Sequence, residues 1–133
     1  MPPGDVRQCL IANSKNKDLI DDFNYRFDRG FLRGHNWGNL LIVKAVNEER
    51  GDWNKAIEKL SRELNIKTKI YPVTLESAKI KAILKNNKKI MGEENIINSK
   101  IGIKSLSLEP LIRANPKAVS AIKNADLIVI GPG

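Results

Sequence analysis

ADLIVIGPG, residues 125–133, is the stretch on which the reading of the whole chain turns. Leu127 to Ile130 form a four-residue apolar run, which reads as a strand buried on both faces. Gly131-Pro132-Gly133 then turns sharply, as on the way into a helix. In open α/β sheets, ligands sit beyond the carboxyl ends of strands. Immediately upstream, Asn115 reads as a helix cap with Pro116 at the first position. Ala118, Val119, Ala121, Ile122 and Ala125 supply the packing face of that helix. A helix feeding a buried strand that ends in a glycine turn is the unit of a Rossmann-type sheet.

Working back from there, the period changes. Lys100 to Leu108 reads as a strand. Lys79 to Leu84 alternates, with Ile80, Ala82 and Leu84 on one face. "KNNK" turns the chain and "KIMGE" returns it, a hairpin pattern. Thr68 to Leu75 reads as another strand, with Pro72 at an edge or bulge. Residues 67–108 are therefore expected to form a β-rich antiparallel insertion within one partial α/β domain covering residues 1–133. The expected class is α/β, an incomplete Rossmann-like parallel sheet with this insertion.

The N-terminal half is helical. Asp5 reads as an N-cap, and Gln8 completes a capping-box pattern ahead of Val6, Cys9 and Leu10. Leu19, Ile20, Phe23 and Phe27 mark one face of a second helix. A third, from about Trp37 to Arg50, is apolar nearly all round its first half and reads as buried. Gly51 stops it and Asp52 caps the next. Trp53, Ala56, Ile57, Leu60 and Leu64 then form a clean amphipathic stripe.

The 133 residues suit one domain, and a 41% hydrophobic fraction is ordinary for a globular chain. Lys+Arg 23 against Asp+Glu 15 gives a net charge of +8, which suits phosphate-bearing partners. The lysines scatter, however, and Tyr71 is the only aromatic in the lysine-dense middle. That reads as a solvated surface rather than a base-stacking face, so a nucleic-acid partner is disfavoured. The single cysteine, Cys9, excludes an internal disulfide and a cysteine-rich zinc site, and reads as a small core residue. No signal-peptide pattern opens the chain, and the run Leu40 to Val43 is far too short to cross a bilayer. No membrane partner is expected, and the location expected is cytoplasmic.

Three stretches could carry chemistry. "PPGDVR" places a tight turn before a helix start, where unpaired amides can hold an anion. "NYRFDRGFLRGHNWGNL" offers Gly34 and Gly38 for close backbone approach, His35 and Asn39 for hydrogen bonds, and Arg26, Arg29 and Arg33 for phosphates. It is neither a Walker loop nor a dinucleotide fingerprint. His35 is the only histidine, so a multi-histidine metal site is excluded. The third stretch is the terminal Gly-Pro-Gly.

"PPGDVRQCL", "YRF" followed by "GHNWGNLL", "GDWNKAI", "YPVTLESAKIKA", "GEENI" and "ADLIVIGPG" together resemble, in the same order, the gluconeogenesis factor family. This is the YvcK/CofD-like group, related to 2-phospho-L-lactate transferase. Asn36-Trp37 departs from the Ser/Thr-aromatic pair that usually follows the motif histidine. The resemblance implies an internal fragment, lacking an N-terminal GGGTG strand-loop and a C-terminal part. It also implies a UDP-sugar-binding regulatory protein, for example of UDP-N-acetylglucosamine, acting in carbon metabolism and cell-shape or cell-wall homeostasis. By motif position the ligand-binding candidates are Pro3, Gly4, Asp5, Arg7, Gly34, His35, Gly38, Asn39, Gly131 and Gly133, with no catalytic or metal-binding residue. The alternatives are a 2-phospho-L-lactate transferase-like enzyme, which alone calls for a divalent metal such as magnesium, and, further off, a basic nucleic-acid-binding domain. The exposed apolar surface of such a fragment points to self-association.

Overall fold

In chain order the elements are α1 (Gly4–Asn13), α2 (Lys17–Asn24), α3 (Trp37–Glu48), α4 (Trp53–Glu63), β1 (Lys79–Leu84), β2 (Lys89–Met91), α5 (Glu93–Ile97), β3 (Ile103–Glu109) and α6 (Pro116–Lys123). They come from a computed structural model that describes residues 3–131. The chain separates into a helical unit, residues 3–73 with 116–131, and a sheet unit, residues 74–115.

The helical unit is organised by the amphipathic stripe of α4. Ala56, Ile57, Leu60 and Leu64 are all buried, and they pack beside Ile42, Ala45 and Val46 of α3. Burying one such aliphatic side chain contributes about 1.5–3 kcal/mol. Asp52 caps α4 as its position predicts, its carboxylate accepting from the Lys55 amide at 3.1 Å. The two helices are also tied by Glu48 on α3, which meets Lys59 on α4 at 2.7 Å and Lys44 at 3.2 Å. The stripe was legible because charge and apolarity alternate at helical period. α3 is less enclosed than its composition suggests: Val43 faces solvent while Ile42 is fully buried. Its neighbours among the described elements are α1, α2 and α4.

In the sheet unit, strand order is β2-β1-β3 and both pairings are antiparallel. Ala82 lies opposite Ile90 and Leu106, and Ile80 opposite Leu108, so these apolar residues share a face. Ala82 and Leu84 are its buried centre. The other face is mixed, with Ile83 and Met91 beside Lys79, Lys81 and Lys89, and Lys81 and Glu109 are paired across it at 2.9 Å. The mixed α/β class and the antiparallel insertion are as the sequence indicates. The short helix α5 was not anticipated.

Several local expectations are corrected. α1 starts at Gly4, and the Arg7 amide donates to the Pro3 carbonyl at 2.9 Å. Asp5 therefore lies inside the first turn and is not the cap. Cys9 is exposed rather than core, because the buried face of α1 is carried by Val6, Arg7 and Leu10. Phe27 falls beyond the end of α2, in the loop that follows. Thr68 to Leu75 is irregular rather than a strand; Pro72 has no amide to give to a ladder. Leu127 to Ile130 forms no strand and is exposed, Ile130 by 91%. A strand needs a neighbour for its amides and carbonyls, and none of the three strands of the described residues pairs with it.

Candidate functional site

The site grows from the hairpin between α2 and α3. The Phe27 amide donates to the His35 carbonyl at 3.0 Å, Gly34 back to Phe27 at 2.8 Å, and Trp37 to Tyr25 at 2.8 Å. These bonds close a narrow loop whose ladder includes an Arg26–Asn36 bridge. Gly34 has a φ of 84°, a left-handed conformation that makes glycine the natural residue at that turn. Its carbonyl accepts from the Arg26 guanidinium at 2.5 Å.

Asn36 is the hinge of this construction. Its side-chain oxygen accepts from the Asn39 amide at 3.0 Å, capping α3. Its side-chain amide donates to the Asn24 and Tyr25 carbonyls, both at 3.1 Å. One buried side chain thus joins the end of α2, the hairpin and the start of α3. Sequence reasoning passed it over as a departure from a Ser/Thr motif position. The missed signal was an asparagine directly before an apolar helical run, a preferred N-cap. Serine, threonine and asparagine are all caps, so the substitution keeps the role.

Arg7 of α1 reaches the same place. Its guanidinium donates to Asn24 Oδ1 at 2.8 Å and to the Phe23 carbonyl at 3.4 Å. Gly38 lies beneath it. A Cβ there would fall 2.5 Å from the Phe23 carbonyl oxygen and 3.0 Å from Arg7 Cδ. Gly38 is therefore required for backbone packing, which counts against the expectation that its bare face is kept open for a ligand. Two buried polar atoms in this region have no partner: Arg7 Nε and Asn39 Oδ1. Buried polar atoms are satisfied as a rule.

The structure thus brings Arg7, Gly38 and the Asn39 amide together through Phe23, Asn24 and Asn36, with Gly34 and His35 on the adjoining hairpin. Pro3 and Gly4 open α1; Asp5 is exposed in its first turn, and His35 is exposed. Gly131 is exposed, with nothing among the described residues within 4 Å of a Cβ placed there, so it is not part of this cluster. Gly133 lies outside the described residues. Among the described residues no group of three or more His, Cys, Asp or Glu could hold a metal ion, and no helix is long and apolar enough to cross a membrane.

The family described as 2-phospho-L-lactate transferase CofD matches residues 1–133, the whole chain. The chain belongs to this CofD family. Within it, the similar proteins are gluconeogenesis factors. The gluconeogenesis factor of Bacillus subtilis is 36% identical over 135 residues, covering 99% of this chain and 42% of that protein. The gluconeogenesis factor of Halalkalibacterium halodurans is 35% identical over 135 residues, with the same two coverages of 99% and 42%. A crystal structure of a UPF0052-family protein from Bacillus halodurans superposes with a TM-score of 0.93 at 35% identity, covering 99% of this chain and 43% of that one. The chain spans about two-fifths of the length of these relatives.

Proposed function

We propose that this chain carries part of the nucleotide-sugar-binding surface of a gluconeogenesis factor, with a UDP-sugar such as UDP-N-acetylglucosamine as ligand. The role that goes with it is regulatory, in carbon metabolism and in cell-shape or cell-wall homeostasis. The observation that carries the reading is the pair of unpartnered buried atoms, Asn39 Oδ1 and Arg7 Nε, at the start of α3. One is an acceptor and the other a donor. A nucleotide sugar supplies hydroxyl or imide donors for the first and phosphate oxygens for the second. Arg29 and Arg33, exposed on the hairpin, add cations suited to a diphosphate.

The test is calorimetric titration of UDP-N-acetylglucosamine into the protein at its natural full length. Asn39→Ala leaves the cap bond intact, since that bond uses the backbone amide. It is expected to weaken binding by about 1–3 kcal/mol, the usual cost of removing one buried hydrogen-bonding partner. Equal affinity in parent and variant, at equal melting temperature, removes Asn39 from the site.

The second reading is a phospholactyl transferase, favoured by the family description that spans the chain. Its chemistry asks for a divalent metal bridging phosphates. Among the described residues no group of three or more His, Cys, Asp or Glu stands around Asp5 or elsewhere.

A further inference from the structure

The feature left unused by the nucleotide reading is aromatic. Three of the chain's seven aromatic side chains stand together on the hairpin. Tyr25 and Phe27 lie two residues apart on one extended arm, so they project to the same side. Trp37 is placed beside them because its amide is bonded to the Tyr25 carbonyl. Phe27 braces both neighbours edge-to-face, at 5.1 Å from Tyr25 and 6.2 Å from Trp37. Such contacts fix ring orientation. Yet Tyr25 remains 51% and Trp37 38% exposed. With Leu32 and Asp22 they line an open depression of about 600 Å³, within the size range of small-ligand sites.

We infer that this depression is a hexose subsite, in which the sugar ring of the nucleotide sugar lies on Trp37 and Tyr25 and gives its hydroxyls to the Asp22 carboxylate. The inference rests on the nucleotide-sugar reading for its ligand and on separate residues for its site. A pyranose has an apolar face of C–H groups and a rim of hydroxyl donors. An aromatic shelf matches the face, and a carboxylate, which only accepts, matches the rim. Asp22 is the one charged residue of the lining; Arg26, Arg29 and Arg33 lie along the same hairpin but outside it, where they suit the phosphates of the ligand and not its ring. Rigid rings also cost little ordering entropy on binding.

The experiment uses the full-length protein and three probes: UDP, UDP-N-acetylglucosamine and methyl N-acetylglucosaminide. Calorimetry gives the preference for the sugar nucleotide over UDP, in the parent and in Trp37→Ala, Tyr25→Leu and Asp22→Asn. The preference is expected to fall at least tenfold in Trp37→Ala and several-fold in the other two, with affinity for UDP unchanged. Saturation-transfer NMR with the methyl glycoside is expected to show contact in the parent and none in Trp37→Ala. If the parent prefers the sugar nucleotide and all three variants keep that preference, the subsite is overturned while the functional reading stands. A parent that binds UDP with no preference for the sugar likewise overturns the subsite. If the parent binds neither nucleotide, the functional reading fails, and the glycoside alone decides the shelf: contact that is lost in Trp37→Ala supports it, and no contact overturns it. Should Trp37→Ala fail to fold, Asp22→Asn, whose carboxylate is exposed, carries the same comparison.

Discussion

Two helices in this protein begin in glycine-bearing motifs, and they begin in opposite ways. α1 starts at Gly4 with Pro3 as its cap residue and no side-chain bond to its amides. Its carboxylate, Asp5, is exposed. α3 starts beneath a buried asparagine that makes three hydrogen bonds, and its second residue is wedged against the backbone of Phe23. From sequence the two motifs look equivalent, a turn and a glycine before an apolar run. The difference teaches that a glycine beside a helix start has two separate uses. At Gly4 a Cβ would meet nothing among the described residues within 4 Å; at Gly38 it would meet a carbonyl at 2.5 Å.

The largest effect should come from Gly38→Val. The clash is with backbone, which cannot rotate away, so the loss of stability is expected to be about 3 kcal/mol or more, at the upper end of overpacking effects. A urea midpoint equal to the parent's would break the contrast between the two starts. Asn36→Ala comes next. Losing the cap costs about 1–2 kcal/mol, and two part-buried carbonyls lose their donor as well. Asn36→Ser restores the cap alone and should recover about half of the deficit, measured by the same denaturation.

A third helix start sharpens the comparison, because α4 is capped in the open. The Lys55 amide, followed by the Lys55 charge, holds the Asp52 carboxyl below its ordinary value of 3.8. A carboxyl lowered by folding stabilises the native state above its unfolded value, and that contribution is lost as pH falls through the lowered value. Glu48 is lowered in the same direction by Lys59 and then Lys44. The melting temperature should therefore drop below about pH 4. Asp52→Asn, which keeps a capping oxygen without the titration, should drop less over the same range. An identical pH profile for the two proteins would dismiss the carboxylate as a contributor. The smallest effect belongs to Gly4→Ala. With no described residue within 4 Å of a Cβ there and no left-handed φ, alanine should be neutral or stabilise by up to about 1 kcal/mol through helix propensity. A loss instead would mean that the α1 start is as tightly packed as that of α3.

Much of the helical unit was legible because its signals are local. The α4 stripe and its Asp52 cap follow from the spacing of Ala56, Ile57 and Leu60 and from one acidic residue placed before them. The Lys79–Met91 hairpin is equally local: alternation, a turn, alternation. What was not legible depends on neighbours distant in sequence. Leu127 to Ile130 has the composition of a buried strand, and among the described residues no strand lies beside it. Cys9 sits among apolar residues in sequence, while Arg7 takes the buried position two residues earlier because Phe23 and Asn24 wait for it 16 and 17 residues further on. Of the candidate site, the loop and its glycines were readable; the pairing of its two arms, which takes Phe27 off the helix, was not. The role of Asn36 was not, since two of its three partners are carbonyls that any sequence would supply.

The hairpin bonds have a kinetic consequence. The amides of Phe27, Gly34 and Trp37 all point across one narrow loop, so none can be released without parting the two arms. Deuterium should then enter all three at a common rate, set by a single opening event. A bound molecule that bridges the arms would slow the three together. That gives a direct clock on the loop, readable at three backbone positions and needing no change to the chain.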